Sequence, residues 1–229
     1  MSKVDRLLEW VEQHLPEVKD SFNPPARPSE IEAAEAALSV TFPEELRELY
    51  LRHNGQNEEL ASALLNGEQL NETNIHLLQV IPGLFYGLDF LPLKKMISEW
   101  ESWASYLEGL DISPDDMNEF SRSHRPGFVK PVYINTKWIP VTSGPDHLGL
   151  DFDPGPKGTM CQVINYGRDE DVKYVIASSF GEFLDWYVEQ LEAGNYLIEE
   201  WQGSGTGKVF QIKTTENKHF LDAIKELFD

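Results

Sequence analysis

Trp138-Ile-Pro-Val141, then Leu148-Gly-Leu-Asp-Phe-Asp-Pro-Gly155, then Gly158-Thr-Met-Cys-Gln-Val163: each piece is short, mixes aliphatic and aromatic residues, and is bounded by turn formers. Together with residues 132–135, 147–152, 160–166 and 172–177 they lie so close in sequence that hairpins are the natural connections, which predicts an antiparallel meander. Alternation along the second piece sets Asp151 and Asp153 on one face and Leu150 and Phe152 on the other. Pro154-Gly-Pro156 is a turn in which nearby Asp carboxylates accept backbone N–H bonds.

Outward from this sheet the periodicity changes to helical. Ser179 and Glu182 form a capping box for a helix carrying Phe183, Leu184, Tyr187, Val188 and Leu191, which stops at Gly194-Asn195. A turn at residues 202–207, a strand at 209–213 and a terminal helix with Phe220, Ile224 and Leu227 follow. Upstream, Leu93, Met96, Ile97, Trp100, Trp103, Ala104 and Leu107 recur at three and four residues, marking a long amphipathic helix. A short helix is expected from Asp111, and a strand pair at 77–80 and 85–90. Val4, Leu7, Leu8, Val11 and Leu15 predict an opening helix that ends before Pro16. Residues 23–28 read as an extended linker. Ser29 with Glu32 predicts a capping box for a helix at 30–38. A further helix follows Pro43, with Asn54-Gly55 as its left-handed end. The fold class is therefore α+β, with helices around a predominantly antiparallel sheet. The expected division is residues 1–26 as helix and linker, 27–194 as the main domain, and 195–229 as a C-terminal extension.

The 229 residues carry 19 Lys and Arg against 39 Asp and Glu, a net charge of −20. That field repels phosphate backbones and argues against direct nucleic-acid binding. No run of ~20 apolar residues suits a membrane, and the first residues lack the apolar core of a secretory signal, so a cytoplasmic location is expected. Acids are also segregated. Residues 96–120 include Glu99, Glu101, Asp115 and Asp116 with no Lys or Arg, and residues 174–207 hold six acids with none. Such stretches are either solvated helix faces or a surface complementary to a basic protein.

Catalytic and cofactor patterns fail on inspection. Gly203-Ser-Gly-Thr-Gly-Lys208 lacks the first Gly and the final Ser or Thr of a phosphate loop, and a strand follows it. Asp146, His147, Asp151 and Asp153 are close enough for a cation or acid/base site, yet turn capping explains them as well. Six His residues show no metal-binding spacing, and no G-x-S-x-G elbow occurs. Cys161, the one cysteine, is read as a small core residue in a strand. No catalytic residue, metal or cofactor is assigned.

As an ordered series, Pro28-Ser-Glu-Ile31 with Glu35, Phe42-Pro-Glu-Glu-Leu46, Tyr50-Leu-Arg-His-Asn-Gly55, the three sheet pieces quoted first, and Ala177-Ser-Ser-Phe180 with Phe183-Leu184 resemble the SUKH superfamily, the Smi/Knr family. That family includes fungal cell-wall assembly regulators and bacterial immunity proteins of polymorphic toxin systems. The resemblance spans residues 27–191. It implies a helices-around-sheet fold, makes Asn54, Gly55, Trp138, Pro140, Asp151, Asp153 and Gly155 fold-determining positions, and transfers no catalytic residue. Gln56 departs from the Gly expected there, and residues 108–128 form an insertion. Joined to the charge and to the lack of long flanking tails, it makes a non-enzymatic immunity protein the leading expectation. Its partner would be a cognate protein toxin, with a basic nuclease as one option, and Glu99, Glu101, Asp115 and Asp116 as contacts. A cell-wall synthesis regulator or signalling scaffold is the alternative, with a small-ligand binder or enzyme behind it. The oligomeric state is left open.

Overall fold

The computed structural model describes residues 1–57, 79–106, 113–216 and 219–229, without the side chains of residues 114 and 115. Its centre is a four-stranded antiparallel sheet of β3 (Trp138–Pro140), β4 (Asp146–Asp151), β5 (Gln162–Gly167) and β7 (Val175–Ala177), in the order β3-β4-β5-β7. Period-two alternation sorts its side chains into two cores. Leu148, Leu150 and Val163 join the main core, whereas Trp138, Ile164 and Tyr166 meet Trp103, Val129 and Tyr133 on the opposite face. Both faces are thus covered, and β5 is buried at every position.

Three details of the expected meander differ. Residues 132–135 form no strand, because the Tyr133 N–H is taken by Asn118 Oδ1 at 2.7 Å. Met160 and Cys161 belong to the turn before β5. Cys161 is half-buried with φ 65°, so it bends the chain and is not a core strand residue. Residues 172–177 split at Tyr174: β6 (Val172–Lys173) pairs in parallel with β2 (Arg122–Ser123), and β7 returns to the main sheet.

α1 (Lys3–His14) opens with a full capping box in which Ser2 Oγ accepts from the Asp5 N–H and Asp5 accepts from the Ser2 N–H. It buries Val4, Leu7, Trp10 and Val11 and gives way to α2 (Pro16–Ser21). α3 (Pro28–Leu38) starts earlier than Ser29 suggested. Pro28 takes the first helical position, where a missing N–H costs nothing, and this makes Glu30 the residue that accepts the Arg27 N–H at 2.8 Å. α4 (Glu44–Arg52) ends on an extended His53, so Asn54-Gly55 lies beyond the helix and does not cap it. α5 (Leu93–Ala104) turns Leu93, Met96 and Trp103 inward; Leu107, expected at its end, lies outside the described residues. Asp111 lies outside them as well, and α6 (Pro114–Asn118) begins at a Ser113 cap.

In α7 (Phe180–Glu192), Ser179 Oγ accepts the Glu182 N–H, but the Glu182 carboxylate bonds to the Ser178 hydroxyl, so only half the predicted box forms. A second sheet orders as β1-β9-β8, from β1 (Gln79–Val80), β8 (Tyr196–Glu200) and β9 (Thr206–Ile212). β1 runs parallel to β9 and does not pair with residues 85–90. Those form a tight turn in which Phe85 bridges Leu88 and Tyr86 adopts φ 51°, while residues 77–78 lie outside the described set. Tyr86 sits between Tyr187, Phe210 and Phe220, with ring centroids 4.9, 5.1 and 5.6 Å away. α8 (Phe220–Phe228) covers this end. One core cluster therefore runs from Val4 and Leu7 through Leu148 and Leu150 to Phe210 and Ile224. No described helix is long and apolar enough to cross a membrane.

Candidate functional site

The sheet signature converges on one buried carboxylate. Asp151, at the end of β4, is fully buried and accepts three hydrogen bonds: from Trp138 Nε1 at 3.1 Å, from the Asp153 N–H at 2.9 Å and from Gln162 Nε2 at 2.9 Å. Burial pushes its pKa above the usual Asp value despite these donors. Gln162 also donates to the Phe128 carbonyl at 2.9 Å and accepts the Thr159 N–H. Asp153 points outward, accepts from Lys130 Nζ and from Asn135 Nδ2, and has a lowered pKa: burial alone would raise it, and the Lys130 and Asn135 bonds outweigh that. The Gly155 N–H donates to Phe128 at 3.0 Å, and a Cβ on Gly155 would lie 2.3 Å from the Gly127 carbonyl oxygen, so only glycine lets the two turns touch. Pro140 is buried in β3, whose residues 138–140 pair with 151–149.

The second signature pair works at another junction. Asn54 Oδ1 accepts the Leu93 N–H at 3.0 Å, fixing the start of α5. Gly55 has φ 72° and brings its Cα against Pro92, where a Cβ would stand 2.3 Å from the proline nitrogen. Its neighbour Gln56, which sequence reading treated as a departure, is a buried four-bond hub. Nε2 donates to Ser21 Oγ and the Pro82 carbonyl, and Oε1 accepts the N–H groups of Leu84 and Phe90. Its position beside Asn54-Gly55 was the only signal available. Glu35 is likewise structural, accepting from the Phe42 N–H and from Arg47.

The residues weighed as an acid/base or cation site do not converge. Asp146 accepts the Asp169 N–H, while the His147 Nδ1–H donates to the Thr142 carbonyl at 2.7 Å and burial lowers that imidazole's pKa. No group of three or more metal-ligating side chains occurs among the described residues. The four acids proposed as contacts also differ in setting. Glu99 is turned toward His147, 3.7 Å from its Nδ1, whereas Glu101 is exposed on α5. Asp116 is exposed and accepts the Ser113 hydroxyl, and the Asp115 side chain lies outside the described residues. A further polar pair went unread in the sequence. Burial raises the Glu170 pKa to about 7 and lowers that of Lys173, whose ammonium is 3.2 Å from Ser121 Oγ, to about 8.

This arrangement uses its polar side chains to lock turns together, and the chain is similar in sequence to proteins described as regulators. The chain is 31% identical over 83% of its length to the "Cell wall assembly regulator SMI1" of Saccharomyces cerevisiae, covering 40% of that protein. It is 30% identical over 85% of its length to the "Cell wall biosynthesis/cell cycle regulator smi1" of Schizosaccharomyces pombe, covering 36% of it. It is 24% identical over 95% of its length to the "Glucan synthesis regulatory protein" of Neurospora crassa, covering 42% of it. The chain thus spans less than half the length of these relatives. The profile of the SMI1 / KNR4 family (SUKH-1) matches residues 25–186, a stretch containing both signature junctions, and the chain belongs to that family.

Proposed function

We propose that this chain is a non-enzymatic, cytoplasmic protein-binding domain that acts in the regulation of cell-wall assembly. The observation that carries the reading is the similarity to fungal regulators over more than four fifths of the chain. It reverses the order suggested by the sequence, in which charge and the breadth of the family put a toxin-neutralising immunity protein first. The geometry supports a binding role, because Asp151, Asp153, Trp138 and Gln162 are engaged in holding turns, which leaves the surface to make contacts. The strongly acidic exterior, with Glu101 and Asp116 exposed, suits a basic protein partner whose association weakens with salt.

The test is expression of the chain in a Saccharomyces cerevisiae strain lacking its cell wall assembly regulator, scored for growth on a cell-wall-binding dye. Restored growth is expected. Failure to rescue by a folded, expressed chain overturns the reading, and protection of a host against a co-expressed toxin without rescue would reinstate the immunity reading.

A further inference from the structure

Residues 121–145 contain Arg122, Arg125, Lys130 and Lys137 and no acid, a reversal of sign in a chain of net charge −20. The structure folds the first part of this segment around a cavity of about 390 Å³ whose walls include Pro126, Val129, Pro131 and Pro156 together with Arg122 and Lys130. That volume is in the range of pockets that hold a ligand or an inserted side chain. Its shape is set by the signature turn. Gly155 and Lys157 donate to the carbonyls of Phe128 and Gly127, Ser123 Oγ accepts the Val129 N–H, and Asp153 holds Lys130. Arg122, Arg125 and Lys157 are exposed, and no ion pair to an acid is formed by any of them among the described residues.

We propose that this cavity docks an acidic peptide segment of a partner protein, with one bulky apolar side chain inserted between the prolines and flanking carboxylates paired with Arg122 and Arg125. An apolar pocket lined by Arg122, with Arg125 next to its Pro126 wall in the chain, selects for both features at once. The rigid proline walls mean that little conformational freedom is lost on binding. The rest of the surface, being acidic, repels the same peptide and confines it to this place. The inference rests on the protein-binding reading and adds to it a second docking place, opposite in charge to the acidic exterior that suits a basic partner.

The experiment pans a displayed library of random dodecapeptides against the full chain, then measures the best binders by fluorescence anisotropy. The expected result is enrichment of acidic peptides sharing one large apolar residue. Their affinity should fall about tenfold or more in the Arg122→Glu/Arg125→Glu variant, and again when the apolar residue becomes Ser, but stay unchanged in the distal Lys213→Glu variant. Enrichment of neutral or basic peptides, no enrichment, or acidic peptides whose affinity is the same in the double variant would each overturn it. Growth rescue separates the two failures. Rescue by both the chain and the double variant retains the regulatory role and rejects this surface. Absence of rescue by the unaltered chain rejects the regulatory role, while the peptide measurement still reports on the cavity.

Discussion

Replacing Asp151 by Ala removes the shared acceptor of three buried donors: the Trp138 indole, the Asp153 N–H and the Gln162 amide. A buried donor left unmade costs about 1–3 kcal/mol. Three of them, with water recovering part of the loss in the vacated space, give about 3–5 kcal/mol out of a total stability of about 5–15 kcal/mol for a domain. Asp151→Asn is the informative partner. Its remaining oxygen still accepts from Trp138 and Asp153, but its amide faces the Gln162 amide, which cannot reverse without losing its bonds to Phe128 and Thr159. One mismatch predicts about 1–3 kcal/mol. Urea unfolding followed by Trp fluorescence, with the slope of free energy against urea unchanged, measures both. A loss below about 1 kcal/mol for Asp151→Ala would refute the view that these bonds hold the signature turns.

Glu170 and Lys173 predict an unusual pH profile. Glu170, raised from 4.5 to about 7, contributes stability that is full below 4.5 and lost as pH rises to about 7; Lys173, lowered from 10.5 to about 8, contributes stability that is full above 10.5 and lost as pH falls to about 8. Their joint contribution is therefore least between about pH 7 and 8, and thermal melts should show Glu170→Gln flattening the acid limb and Lys173→Met the alkaline one. Gln56→Leu leaves the Leu84 and Phe90 N–H groups without their acceptor and should lower stability by about 2–4 kcal/mol in the same urea assay. Gly55→Ala forces a Cβ onto Pro92 in a left-handed backbone and should cost about 2 kcal/mol or more, with an effect near zero contradicting the close approach. Arg122→Glu/Arg125→Glu should leave the melting temperature within a few degrees, since both residues are exposed.

Elements with strong periodicity were legible. α1, α5, α7 and the β3-β4-β5-β7 meander follow from apolar spacing and turn residues, and the turn signal at Pro154-Gly-Pro156 lies where Asp151 accepts the Asp153 N–H. What escaped was set by contacts distant in sequence. β1 pairs with β9 across more than a hundred residues, and nothing local in residues 85–90 says that their backbone will turn and offer Tyr86 to Phe210 and Phe220. The burial of Gln56 has no local signal because its four partners lie in α2 and in residues 82–90. The cationic cavity was hidden for a related reason. Net charge averages over the chain, and a local reversal matters only once folding gathers it around prolines.

The parallel register of Gln79 with Thr206 and Val80 with Gly207 also imposes an order of events during synthesis. The ribosome releases the meander and α7 well before β9, and a few tens of residues of nascent chain remain in the exit tunnel. While that lasts, β1 lacks its neighbour and Tyr86 lacks two of its three aromatic contacts. The early-emerging part would then wait as a partly closed intermediate with apolar surface open to chaperones. Completion would depend on the β8–β9 hairpin, a local structure that forms in microseconds once both strands are free. Slow codons or stalling within the last two strands would lengthen that exposed interval without altering any contact in the finished protein.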